Sequence, residues 1–197
     1  RFFLEKTLFL SVFYAPVTRI SPNSIDFMSR LVIISNRLPV TIKKKKNELI
    51  YYPSAGGLAT GLNSLDEGLN KIWIGWPGQE ITDEWERESV RQDLSKDGLI
   101  PVFLTQKDIE LYYEGFSNKS VWPHFHYFTQ YTNYNDEYWE SYKKVNQRFA
   151  DVVLKHLKED DLVWVHDYQL MLLPAMIRKE YPNISIGFFL HIPFPSY

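Results

Sequence analysis

The sequence contains no cysteine. That excludes a disulfide framework, cysteine-zinc sites and thiol catalysis. It also lacks an excess of either charge: 22 basic against 24 acidic residues leave a formal net charge of −2. No electrostatic footprint for nucleic acid or an anionic membrane is present. A mostly apolar stretch at residues 8–15 follows Arg1 and Lys6, but it is far too short to span a bilayer and has no clear small-residue cleavage site. There is no GxGxxG after the first strand-like run, so a dehydrogenase reading fails, and there is no Walker-type lysine. What is present is a 197-residue chain, 45 % hydrophobic and 23 % charged, enough to build a packed core of one domain, or at most two. Aromatics reach 16 %. Sugar-handling proteins share that trait, because an aromatic face packs on a sugar ring. Well-packed cores share it too, and both readings stay open.

Apolar runs at 31–35, 72–76, 100–104, 162–165 and 185–190 read as strands, the first suited to burial on both faces. Residues 40–42 and 49–52 flank a charged tip, Lys43–Asn47, and read as a hairpin. Between these lie helical patterns. Leu58, Leu62, Leu65 and Leu69 recur at spacings of three and four after Gly56-Gly57. Residues 83–96 follow Thr82, a good N-cap, and stop at Gly98; residues 106–116, 136–157 and 170–179 are further helices, with Pro174 near the first turn of the last. Strands alternating with helices predict an α/β domain with a mostly parallel sheet. Met28 is the expected natural start, with residues 1–29 a leader outside the domain and possibly spurious. The end at Tyr197, two residues after a loop leaving a strand, reads as a cut through a longer protein.

In such a sheet, functional residues stand at the carboxyl ends of strands near the topological switch point. Ser35-Asn36-Arg37, His166-Asp167-Tyr168 and His191 all fall there. Arg37 either closes a structural salt bridge or clamps phosphate with its planar fork. Asp167 either caps the next helix or accepts hydrogen bonds from sugar hydroxyls. His191 is either a satisfied loop histidine or a ligand. Gly56-Gly57 is either a tight turn or an anion cradle at a helix N-terminus. His124 and His126 form an H-x-H without an obvious third ligand, so no metal is expected. A dense aromatic cluster, Tyr112, Tyr113, Phe116, Trp122, Phe125, Tyr127 and Phe128, can supply both core and cleft.

These stretches in order, LVIISNRLPV, SAGGLATGL, IWIGWPG, YYEGFSNKSVWPHFHY, LVWVHDYQLMLLP and IGFFLHIPFPS, make the chain from Arg30 onward resemble the N-terminal part of the trehalose-6-phosphate synthases. The resemblance implies the N-terminal, acceptor-side Rossmann-like domain of a GT-B glycosyltransferase, over residues 30–197. It implies retaining transfer of glucose from UDP-glucose to glucose 6-phosphate, giving trehalose 6-phosphate and UDP, with no cofactor or metal. Arg37 would hold the acceptor phosphate, assisted by Tyr113. Trp122 would line the acceptor sugar site and Asp167 would bind its hydroxyls. Gly57 would let backbone approach the donor diphosphate, and His191 would contact the transferred glucose. His191 and Asp167 are the residues nearest the chemistry. The family's donor-domain clamp has no counterpart in these motifs, so the chain alone is expected to be inactive. A catalytically inactive, synthase-like regulatory or phosphosugar-binding protein is the alternative. The expected setting is cytoplasmic, without nucleic acid or membrane, as a homo-oligomer or in complex with a trehalose-phosphate phosphatase.

Overall fold

A computed structural model describes residues 29–46, 48–54 and 70–196. The described residues form seven strands: β1 (Leu31–Arg37), β2 (Val40–Lys45), β3 (Glu48–Pro53), β4 (Lys71–Trp76), β5 (Leu99–Pro101), β6 (Leu162–His166) and β7 (Ser185–Phe189). Five of them form one sheet in the order β5-β4-β1-β6-β7, every neighbouring pair parallel. Strands β2 and β3 pair antiparallel as the expected hairpin.

The reason for this order lies in β1. Its run of β-branched residues is buried on both sides, as a central parallel strand must be. Val32 and Ile34 join one core with Ile74, Val163, Val165, Phe149 and Ile177. Ile33 joins the other with Trp73, Leu38, Ile42, Val90 and Leu94. Helix α1 (Glu84–Ser95) and the hairpin supply the second core, so helices lie on both faces. Helices α2 (Asp136–His156) and α3 (Leu173–Glu180) supply the first. A clasp closes the base of the sheet: Arg30 donates to both oxygens of buried Asp161, at 3.1 and 2.7 Å, and to the His156 carbonyl at 2.6 Å.

Three helix expectations change in detail. The cap of α1 is Asp83, not Thr82: Asp83 has extended backbone and its carboxylate accepts the Glu86 N–H at 2.9 Å. The helix expected over 106–116 starts with an α-turn, Gln106–Asp108, closed by a reciprocal Thr105–Asp108 capping box, and runs on as a π-helix over Ile109–Val121. Gly115 in its middle sits so close to the Tyr138 ring that a Cβ would come within 2.8 Å of Cδ1. The helix expected from residue 170 opens instead as a 3-10 turn, Tyr168–Leu170, and becomes α-helical at Leu173, with Pro174 in its first turn. Gly98 does end the α1 region, at φ +68°. The Gly56-Gly57 pair and the helix expected over 58–69 lie outside the described residues, as do residues 1–28.

Candidate functional site

Parallel pairing puts the carboxyl ends of β1, β4, β6 and β7 along one edge. Two clusters of side chains form there.

The first is built on Arg37. Ser35 Oγ accepts from the Trp73 indole at 2.7 Å and donates to the Arg37 carbonyl at 2.7 Å; Asn36 accepts from the buried Tyr112 hydroxyl at 3.0 Å. These bonds fix the strand end, where the register with β4 shifts between Ile34 and Arg37. The Arg37 side chain is exposed and lies over the Trp76 ring, 4.4 Å from its centroid, and 5.9 Å from that of Tyr113. Gly78, at φ +90°, leaves room beside it: a Cβ there would stand 3.0 Å from the guanidinium. Among the described residues the guanidinium meets no carboxylate and donates to no acceptor. The described residues therefore offer no partner for the salt-bridge reading of Arg37. A planar fork of donors on an aromatic shelf is suited to an oxyanion.

The second cluster joins Asp167 and His191. Asp167 has φ +74° and ψ 168°, a backbone region nearly reserved for glycine, so its neighbours must hold it in a strained conformation. It does cap the following 3-10 turn: Oδ1 accepts the Tyr168 N–H at 2.9 Å, and also the His191 N–H at 3.2 Å. Its own N–H donates to the Phe189 carbonyl at 2.7 Å. Among the described residues both bonds to the carboxylate fall on Oδ1, which leaves Oδ2 for a ligand. Burial pushes this carboxyl above the usual carboxylate value, against the pull of the two N–H groups and of His191. The His191 ring packs on Phe189, at 4.6 Å between centroids, and on buried His166, at 5.3 Å.

Tyr113 thus joins Arg37, and Asp167 joins His191. Trp122 makes its ring contacts elsewhere: it stacks on His126 at 4.0 Å, whose Nδ1 donates to the Trp122 carbonyl at 2.7 Å. The segment that carries Trp122 is nonetheless tied to the loop that carries His191, through Phe125–Phe194 ring contact and a Tyr127 hydroxyl donating to the Ser196 carbonyl at 2.8 Å. Gly57 lies outside the described residues. One residue of the site was not among those chosen from sequence. Trp76 ends a strand beside Pro77-Gly78, at the same edge as Arg37, and that placement was the available signal. His166 was named with Asp167 and Tyr168 at the end of its strand but was given no role.

Fold and site together define a Rossmann-like α/β domain with a cation on an aromatic shelf and an acid–histidine pair along one edge. The sequence model of Glycosyltransferase family 20 matches residues 29–197. The chain belongs to this family, and its sheet is that of the N-terminal GT-B domain. It is 47 % identical over 176 residues to alpha,alpha-trehalose-phosphate synthase [UDP-forming] A of Dictyostelium discoideum, covering 88 % of this chain and 24 % of that protein. A solved structure of an alpha,alpha-trehalose-phosphate synthase (UDP-forming) from Burkholderia xenovorans, in complex with glucose-6-phosphate, matches with TM-score 0.66 and 32 % identity, over 85 % of this chain and 34 % of that one. Another, described as trehalose-6-phosphate from E. coli bound with UDP-2-fluoro glucose, has TM-score 0.65 and 32 % identity over 85 % and 34 %. The N-terminal domain of Candida albicans trehalose-6-phosphate phosphatase has TM-score 0.65 and 27 % identity over the same shares. The chain spans about a third of the length of the solved structures it matches.

Proposed function

We propose that this chain is the acceptor-side part of a trehalose-6-phosphate synthase, a retaining glycosyltransferase that moves glucose from UDP-glucose to glucose 6-phosphate. The observation that carries the proposal is Arg37, exposed on the Trp76 and Tyr113 rings without an acidic partner among the described residues. It fits the phosphate of the acceptor, with Tyr113 beside it. Asp167, with one carboxylate oxygen unused, accepts from the acceptor's hydroxyls. Trp122 lines the sugar, Gly57 lets backbone approach the donor diphosphate, and His191 contacts the transferred glucose. Relatives whose structures hold glucose-6-phosphate and UDP-2-fluoro glucose support both substrates.

The chemistry follows from position. The acceptor hydroxyl is held against the donor's anomeric carbon on the face from which the diphosphate leaves. The leaving phosphate helps take the hydroxyl's proton, while an oxocarbenium-like state passes between the two sugars. Holding two anionic sugars in register supplies much of the rate, and stabilising the departing diphosphate supplies the rest. That second task falls to donor-domain cations, so the 197-residue chain alone is inactive. Residues 30–197 act as one domain, in the cytoplasm and without a cofactor. Among the described residues no helix is long and apolar enough to cross a membrane. Self-association or a complex with a trehalose-phosphate phosphatase is the partnership proposed.

Calorimetric titration of the chain with glucose 6-phosphate tests the site. Binding should fall about tenfold or more in Arg37→Ala, the loss of one charge-assisted pairing. Wild type binding no better than the variant would overturn the assignment. The Candida albicans likeness favours one second reading, a phosphosugar-binding domain without transfer activity in a regulatory or phosphatase subunit. UDP release from UDP-glucose by the full-length protein, dependent on glucose 6-phosphate, decides against it.

A further inference from the structure

His166 has no place in the scheme above, yet it is 1 % exposed and hydrogen-bonded to the exposed ring of His191. Its Nδ1 lies 3.1 Å from His191 Nε2. Its other nitrogen, Nε2, is buried with no hydrogen-bond partner among the described residues. The ring is wedged beside Trp164, at 4.5 Å between centroids, on the strand face it shares with Phe189.

Two neutral arrangements satisfy the bond. In one, His191 donates from Nε2 and His166 carries its proton on Nε2. That proton is then a buried N–H with no acceptor, the orphan that folded proteins tolerate least. In the other, His166 donates from Nδ1. Its Nε2 is then only a bare lone pair, an under-satisfied acceptor, which is the lesser penalty. His191 must in that case accept at Nε2 and carry its proton on Nδ1. The charged groups that face the pair do not reverse this choice: Asp167 spends Oδ1 on the Tyr168 and His191 backbone N–H groups rather than on either ring. Burial, with His191 beside it, also pushes His166 down to about 4, so its own ring is neutral at pH 7.

We propose that His166 is a positioning residue that locks His191 in the Nδ1–H tautomer, so that His191 meets its ligand as a hydrogen-bond donor. Nε2 is occupied, and Nδ1–H is the one ring position left for a ligand. The group placed against it must be an acceptor: a hydroxyl oxygen lone pair or a phosphate oxygen. Aspartate 167 fixes the backbone of the same residue, so the ring is set by one neighbour and the main chain by the other. The meaning of this for donor-sugar recognition rests on the transferase reading; the tautomer itself does not.

The test is two-bond proton–nitrogen correlation NMR of the chain labelled with 15N-histidine at pH 7.5, with His191→Ala identifying the resonance. His191 should be found as the Nδ1–H form, the minority form of free imidazole. In His166→Phe it should shift to mostly Nε2–H. In His166→Asn, whose amide can still donate toward Nε2, the Nδ1–H form should return. Wild-type His191 in the Nε2–H form would overturn the proposal even if neither variant folds, and so would a folded His166→Phe with unchanged spectra. Failure of glucose 6-phosphate to bind, by contrast, would strike the transferase reading and leave this result standing.

Discussion

Arg37 and Trp76 are paired twice, once as partners in the β1–β4 ladder and again as a guanidinium stacked 4.4 Å over an indole. The ladder brings the backbones together at the strand ends, and the stacking orients the side chain. Trp76 is almost fully buried and its indole N–H donates to the Gln79 carbonyl at 3.3 Å, so the shelf under the arginine is rigid. Replacing Trp76 with Leu should weaken glucose 6-phosphate binding by roughly 2- to 30-fold, the range of a cation–π contact of about 0.5–2 kcal/mol. Trp76→Phe, which keeps a ring, should lose less. Calorimetry on both variants checks the order.

The clasp at the other end of the sheet carries stability. Asp161 is buried, accepts from Arg30 twice and also accepts the Lys158 N–H at 2.7 Å. Arg30→Ala leaves a buried carboxylate without its cation. Such losses cost about 3–5 kcal/mol. Urea denaturation should show the midpoint falling with an unchanged slope.

Gly75 has no space for a methyl group. A Cβ there would come within 2.9 Å of three backbone atoms, in Arg37, Leu38 and Ser35. Backbone cannot yield as a flexible side chain does, so Gly75→Ala should destabilise by about 2 kcal/mol or more. Because two of the three atoms flank the Arg37 peptide, ligand affinity should fall as well, which separates this variant from a plain core defect.

The histidine at the end of β6 sets an acid limb in the stability curve. His166 titrates at about 4 in the fold against 6.5 in the free residue, because of burial first and His191 second. The unfolded chain therefore binds the proton more readily. Stability from this group is complete above pH 6.5 and is lost as pH falls toward 4, by roughly 3 kcal/mol at most. Asp167 acts with the opposite sign, since a raised carboxyl loses stability as pH climbs through its folded value. His156 is also pushed down, by burial and by Arg30 and Lys155. The difference between wild type and His166→Phe isolates the first effect: the variant should lose stability less steeply between pH 6.5 and 4, read by denaturation at a series of pH values.

The strands were legible because a buried parallel strand writes itself as a short run of β-branched residues, as Leu31–Ser35 does. Helix α2 was legible because its apolar positions recur every three or four residues over six turns. The π-helix was not: its hydrogen bonds reach five residues ahead, and the fit of Gly115 to Tyr138 that accompanies it is a contact between distant segments. Arg37, Asp167 and His191 could be named because each is polar and follows an apolar run. Trp76 could not be separated from core residues by type, and His166, named at the same strand end as Asp167, could be given no role, since an indole under a cation and an imidazole behind another look like packing until the neighbours are known.

The Arg30–Asp161 clasp has a consequence for how the chain comes to be folded at all. Strand β1 leaves the ribosome before its partner β6 and the carboxylate that receives Arg30, which follow 131 residues later. At about 5–20 residues per second, the most apolar strand of the sheet waits on the order of 10 s with one edge unpaired. During synthesis β1 is therefore an aggregation hazard that only residues near 161 can end, and a chain stopped short of them would be degraded or held by chaperones rather than settle into a smaller version of this sheet.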